Sequence, residues 1–339
     1  MNVLCRSSAS KGYGRALLFA VLTGLLFLSA VMSLCLGAVY ISPSDTLHVL
    51  LGNPSGTAAS IILYARLPRT VGCLLAGTAL AVSGAVIQSV LSNPLAAPNI
   101  IGVNSGAGMM AALCCAVAPA SGLAPLASFL GAQLSVMLVL FIAEKTGAAK
   151  ITLVLAGISI SSLFGAGIDT VVTFVPEALN GYSDFRIGGL SNLSMARVAP
   201  AAVIIVIALI SALALSNEMD VLMLGMDTAA SLGLPAKQLR LVLLTLASAL
   251  AGAAVSFSGL LGFVGLIVPH IARRLAGEES LPMLTASALG GASMLTICDL
   301  LARLLFAPYE LPVGIVLSFV GVPFFIWLLL RQRGGRIHD

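Results

Sequence analysis

With 59% hydrophobic and only 9% charged residues over 339 positions, and a mean hydropathy of +1.09, the chain is far from a soluble domain, in which roughly 25% of residues are charged. The net charge of +4 is too small for a nucleic-acid surface, and the basic residues sit at the ends of apolar runs, as they do in a membrane topology. Six cysteines without CxxC spacing fall mostly inside apolar runs, which indicates neither a disulfide framework nor a zinc site.

In chain order, Arg15 to Tyr40 is a first transmembrane helix, too long for a signal-peptide core, and Leu34 before Cys35 spoils a lipoprotein cleavage site. The amino terminus therefore stays attached. Further spans of about 17 to 25 residues follow at Thr70–Ser92, Ile100–Ala118, Ala124–Ala143, Ile151–Phe174, Val198–Ser216, Leu239–Phe257, Leu260–Arg273, Leu284–Leu301 and Val313–Leu330. The expected fold is an all-α polytopic membrane protein with about ten transmembrane helices and both termini cytoplasmic. Residues 1–14 and 331–339 are read as cytoplasmic tails around a single domain, 15–330. The eighth span is short and is expected to be broken or tilted, with Pro269-His270 and Arg273 at its cytoplasmic end.

This arrangement places twelve of the seventeen basic residues inside, leaving Arg66, Arg69, Arg186, Arg197 and Arg303 outside. It obeys the positive-inside rule. It also puts the polar stretch 217–238 in the cytoplasm. There Asp220 precedes an apolar turn, Gly225 interrupts, Asp227 can cap a second turn, and Gly233 with Pro235 ends it. The plain alternative is a surface loop. Small residues recur at helical spacing in Gly77-x6-Gly84, Gly102-x3-Gly106 and Gly314-x6-Gly321, as close helix packing in lipid requires.

The catalytic inventory is empty. No phosphate loop of the form GxxxxGK[ST] occurs. His48, His270 and His338 are scattered and join no carboxylate or cysteine cluster, so metal ligation and histidine catalysis lack support. Asp169 and Asp299 fall near the outer ends of their spans, whereas a proton relay needs acids deep in the membrane.

Four stretches together resemble the FecCD family, the permeases of ATP-binding-cassette importers for iron-siderophore, haem and cobalamin. They are Arg66-Leu67-Pro68-Arg69; Gly77 to Gly108; the LG-x5-SLG pattern from Leu224 to Gly233; and Phe263 to Arg274 continuing through Asp299 to Arg303 and Glu310 to Leu330. The resemblance implies a type II importer: a second permease subunit, identical or a close relative, two ATPase subunits below, and a periplasmic or lipid-anchored substrate-binding protein above. It implies that ATP and magnesium bind the ATPase, with no cofactor on this chain.

Carried onto this sequence, the resemblance assigns ATPase coupling to Asp220, Leu224, Gly225, Met226, Ala229, Ala230, Leu232 and Gly233. It assigns binding-protein docking to Arg66, Arg69 and Arg303, whose planar forks suit carboxylates; the alternative for each is a membrane anchor. Asn93, Pro94 and Leu95 would narrow the inner mouth of the pathway, and Gln88, Asn104 and Ser105 either face it or hydrogen-bond between helices. Asp299 and Glu310 are expected to pair with Arg303. A chelate supplies its own metal ligands, so a wide, weakly binding passage is expected. The cargo expected is a ferric siderophore, with haem and cobalamin as alternatives; Phe185 stands where many siderophore members carry tryptophan. The competing classes, an ion-driven secondary transporter and an intramembrane enzyme, leave the cytoplasmic knob unexplained.

Overall fold

A computed structural model describes residues 2–52, 56–119, 121–146, 150–307 and 309–333. Residues 334–339 of the expected carboxy-terminal tail, like Met1, lie outside them. All regular structure among the described residues is helical. Ten helices occupy the ten expected positions: α1 (Asn2–Cys35), α4 (Leu67–Leu91), α5 (Val103–Val117), α6 (Ala124–Lys145), α7 (Lys150–Phe174), α9 (Met195–Ala214), α12 (Ala236–Ser258), α13 (Val264–Ala276), α14 (Ser280–Leu304) and α15 (Val313–Arg333). Between them lie α2 (Pro43–Leu50), α3 (Gly56–Ser60), α8 (Ala178–Ile187), α10 (Ser216–Met223) and α11 (Met226–Ser231).

Seven of the described helices are by themselves long and apolar enough to cross a membrane; α5 and the stretch Val313–Leu328 are apolar but shorter. Two boundaries differ from expectation in an informative way. The segment expected as an amino-terminal tail is helical from Asn2 and continuous with α1, which at 1.5 Å per residue reaches about 50 Å and so overshoots the hydrocarbon. The second span begins earlier than Thr70, because a π-turn at Ile61–Arg66 joins α3 to α4 in one helical run, Gly56–Leu91.

Helix α4 is the axis of the bundle and is buried along nearly its whole length against α14, α12, α13 and α9. Glycine makes this possible. A Cβ at Gly77 would overlap the Gly291 carbonyl of α14, and one at Gly84 would overlap the Gly265 carbonyl of α13. In lipid, where apolar burial gives no net drive between helices, such backbone approach is what packing has to work with. The glycine pattern read from the sequence is thus a contact map of α4. Gly106 of α5 meets the Gly131 carbonyl of α6 in the same manner.

The short eighth span is short at its beginning, not at its end. Helix α13 continues through Pro269, His270 and Arg273 to Ala276 and stops at Gly277, φ +101°. Its start at Val264 lies level with the Leu80 and Gly84 region of α4, where Gly265 packs. The chain reaches that depth through Gly259–Phe263, which is tied to α8: Leu260 N–H donates to the Phe185 carbonyl at 2.9 Å. Irregular backbone at membrane depth is tolerable only when buried in protein in this way.

Candidate functional site

The two ends of the bundle carry the residues singled out by the sequence. At the end bearing Arg15, α10 and α11 form the anticipated knob. Ser216, Met219 and Leu222 bury one face of α10, spaced three residues apart as a helix seated on a base requires. Gly225, at φ +113°, turns the chain into α11. Helix α11 closes in a Schellman motif: Leu234 N–H donates to Ala229 O at 3.0 Å and Gly233 N–H to Ala230 O at 3.0 Å, with Gly233 at φ +85°. Within this rigid unit Ala229 is fully buried, whereas Leu224 is 65% and Leu232 63% exposed. Ala230 and Asp227 are exposed as well, and Met226 is half-buried and lines a hollow with Leu140, Ala143 and Leu153. An apolar tip is thus held out on a packed stem.

Capping differs from the sequence reading. Gly225, not Asp227, occupies the cap of α11, and Asp227 lies in its first turn, where a negative charge still suits the helix dipole. Asp220 lies inside α10, and its Oδ1 accepts the Ser280 N–H of α14 at 2.8 Å. The same end gathers Arg15 with Glu279 (2.7 Å) and Arg273 with Glu278 (2.9 Å).

At the opposite end, Arg66, Arg69 and Arg303 come together, but as buried groups: they are 6%, 7% and 5% exposed. Each already has partners within the chain. Arg66 donates to the Leu34 and Cys35 carbonyls at 2.7 Å each and to Val39 O, closing the carboxy-terminal end of α1, whose last carbonyls have no helical donor. Arg69 Nε bonds both carboxylate oxygens of Asp299 at 3.0 Å, and its Nη1 reaches Glu310 Oε2 at 2.6 Å. Arg303 Nε lies 3.2 Å from Asp299 Oδ2, and its Nη2 donates to Ser33 Oγ at 2.7 Å. Asp299, with no exposure at all, therefore bridges α4 and α14. Glu310 pairs with Arg69 and not, as expected, with Arg303.

The residues expected at the pathway divide. Gln88 hydrogen-bonds between helices, its Nε2 lying 3.4 Å from the Gly265 and Leu266 carbonyls of α13. Ser105 of α5 donates to Ser161 Oγ of α7 at 3.1 Å. Asn93 shapes the turn after α4: Ser92 takes φ +47° and Asn93 Oδ1 accepts the Leu95 N–H at 3.0 Å. Pro94 is exposed, and Leu95 and Asn104 are half-buried. His270 rests edge-on against Phe324 of α15, ring centres 6.4 Å apart.

The sequence reading did not find α8, nor the open hollow of about 400 Å³ behind it, lined among others by Cys114, Cys115, Asp184 and Arg197. The only available signal was a polar run, Asn180 to Arg186, flanked by Pro176 and the Gly188-Gly189 pair. Among the described residues no three His, Cys, Asp or Glu side chains converge on a metal-sized site.

This ten-helix bundle, with an apolar knob at one end and a buried charge cluster at the other, defines a multi-pass membrane transport subunit, and comparison with known proteins places it. The FecCD transport family model matches residues 25–331, and the chain belongs to that family. It is 37% identical to the Fe(3+)-citrate import system permease protein YfmE of Bacillus subtilis, over 91% of this chain and 93% of that protein. It is 38% identical to the hemin transport system permease protein HmuU of Yersinia pestis, over 81% and 85% respectively. Among solved structures, one described as an inward-facing conformation of a putative metal-chelate type ABC transporter superposes with a TM-score of 0.84 at 29% identity, covering 93% of this chain and 99% of that one.

Proposed function

We propose that the chain is the permease subunit of a cassette importer that moves a ferric siderophore across the bacterial cytoplasmic membrane by alternating access. The observation that carries this reading is the knob: Leu224 and Leu232 stand exposed on a buried stem, at the end that charge assigns to the cytoplasm, in a chain of the FecCD transport family. Exposed apolar side chains on a rigid base suit a cleft in a partner, and that partner is an ATPase pair. ATP and magnesium belong to that pair, and this chain binds no cofactor of its own. A second permease copy or close relative completes the passage, and a substrate-binding protein docks over the corner built by Arg66, Arg69 and Arg303. Curated relatives named for ferric citrate, siderophore and hemin support an iron chelate as cargo.

The test is reconstitution of the chain with and without its cassette ATPase and binding protein. Hydrolysis of ATP is expected only when the cassette ATPase is present, and uptake of a radiolabelled ferric siderophore only in the full assembly. Hydrolysis by the purified chain alone, above a mock preparation, would overturn the assignment of ATP to the partner, and uptake of hemin in place of the siderophore would move the cargo.

A further inference from the structure

At the start of α14 the residue in the capping position, Glu279, contributes no side-chain hydrogen bond to the helix. The acceptor comes from another helix altogether, the Asp220 carboxylate of α10, 2.8 Å from the Ser280 N–H. A carboxylate on an orphan helical N–H is a charge-assisted bond reinforced by the helix dipole. It fastens the knob to one spanning helix. From there α14 runs 25 residues, about 37 Å, packs backbone to backbone on α4 at Gly77 and Gly291, and ends with Asp299 clamped between Arg69 and Arg303. The helix is a rod with a polar fastener at each end.

We propose that Asp220 is a positioning residue for energy coupling: through Ser280 it ties the knob to α14, so that displacement of the knob by the ATPase reaches the outer corner. This rests on the permease reading. It gives Asp220 an inward task distinct from that of Leu224 and Leu232, which face the partner.

Ser280→Pro isolates the link. Proline suits the first helical position, and Glu279 already has the extended backbone (φ −62°, ψ +132°) that a following proline demands. The buried Ser280 hydroxyl makes no hydrogen bond, so the chief loss is the N–H given to Asp220. In the reconstituted importer, ATPase association and basal hydrolysis should be unchanged, while stimulation of hydrolysis by the binding protein falls about tenfold, within the usual range for coupling between sites. Asp220→Asn, which retains an acceptor oxygen, should keep most of the stimulation, and Asp220→Leu should lose it. Full stimulation in an assembled Ser280→Pro importer overturns the proposal. Should that variant yield no protein, equal stimulation in the Asn and Leu variants overturns it instead. Failure of any ATPase to associate with the unaltered chain would sink the permease reading and this proposal with it, whereas full stimulation in the Ser280→Pro importer sinks this proposal alone.

Discussion

The outer corner and the inner knob are both short polar stretches between long apolar runs, yet they bury opposite things. The corner hides charge, with Arg66, Arg69, Arg303 and Asp299 all under 8% exposed as residues. The knob hides a small methyl at Ala229 and displays leucines. A buried ion cluster is satisfied only by fixed partners, so it holds α1, α4 and α14 together and tolerates little change. An exposed leucine on a packed stem is satisfied by nothing in this chain, which is what a docking surface looks like before its partner arrives. Motif resemblance assigned both ends a partner; within the chain the arginines have partners of their own and Leu224 and Leu232 stand exposed.

The strongest way to break this contrast is at Asp299. Asp299→Ala leaves Arg69 and Arg303 buried without their shared acceptor, and removal of one member of a buried ion pair costs about 3–5 kcal/mol. Loss of most folded protein in detergent, followed by thermal unfolding and size exclusion, is the expected outcome. Arg69→Glu should do the same, since it sets a carboxylate against Asp299 and Glu310. Wild-type folding of Arg69→Glu with weakened binding-protein docking would return that arginine to the surface role expected from sequence.

Next in size is a pair of identical substitutions one residue apart. Ala229→Glu forces a carboxylate into a fully buried site and should destabilise the chain by several kcal/mol. Ala230→Glu changes an exposed position and should leave unfolding within about 0.5 kcal/mol of wild type while abolishing ATPase co-purification and uptake. Normal association and uptake in Ala230→Glu would reduce the knob to a surface loop.

How much of this was legible in the sequence depended on the range of the interaction. The ten spans and their sidedness follow from local apolarity and arginine placement, and the structure gathers Arg15, Asp220 and Arg273 at one end and Arg66, Asp299 and Arg303 at the other, as that topology requires. The glycines of α4 were legible as packing positions, but Gly291 and Gly265 as their opposite numbers were not, because spacing within one helix says nothing of its neighbour. The same limit hid the acceptor role of Asp220: a local reading shows only that it precedes an apolar turn, and only the fold brings Ser280 beside it. The late start of α13 was invisible for another reason. Leu260 to Phe263 is as apolar as a helix, and hydropathy does not separate buried extended backbone from a helical turn.

The smallest expected effect tests the middle ground between the two ends, at Gln88. Pro269 lies inside α13 and has no N–H for the Gly265 carbonyl one turn earlier. The Gln88 amide is the replacement donor, shared with Leu266 O at 3.4 Å. Gln88→Met keeps the volume and removes the donor, and should cost about 1 kcal/mol. Pro269→Ala restores the backbone N–H, so in the double variant the loss from Gln88→Met should shrink toward zero. That non-additivity, read by thermal unfolding of the four proteins, is the signature of a shared carbonyl. A residue that instead lines the passage gives the opposite pattern: unfolding of Gln88→Met unchanged, uptake reduced equally in the single and double variants, and no rescue from a helix repaired on its far side.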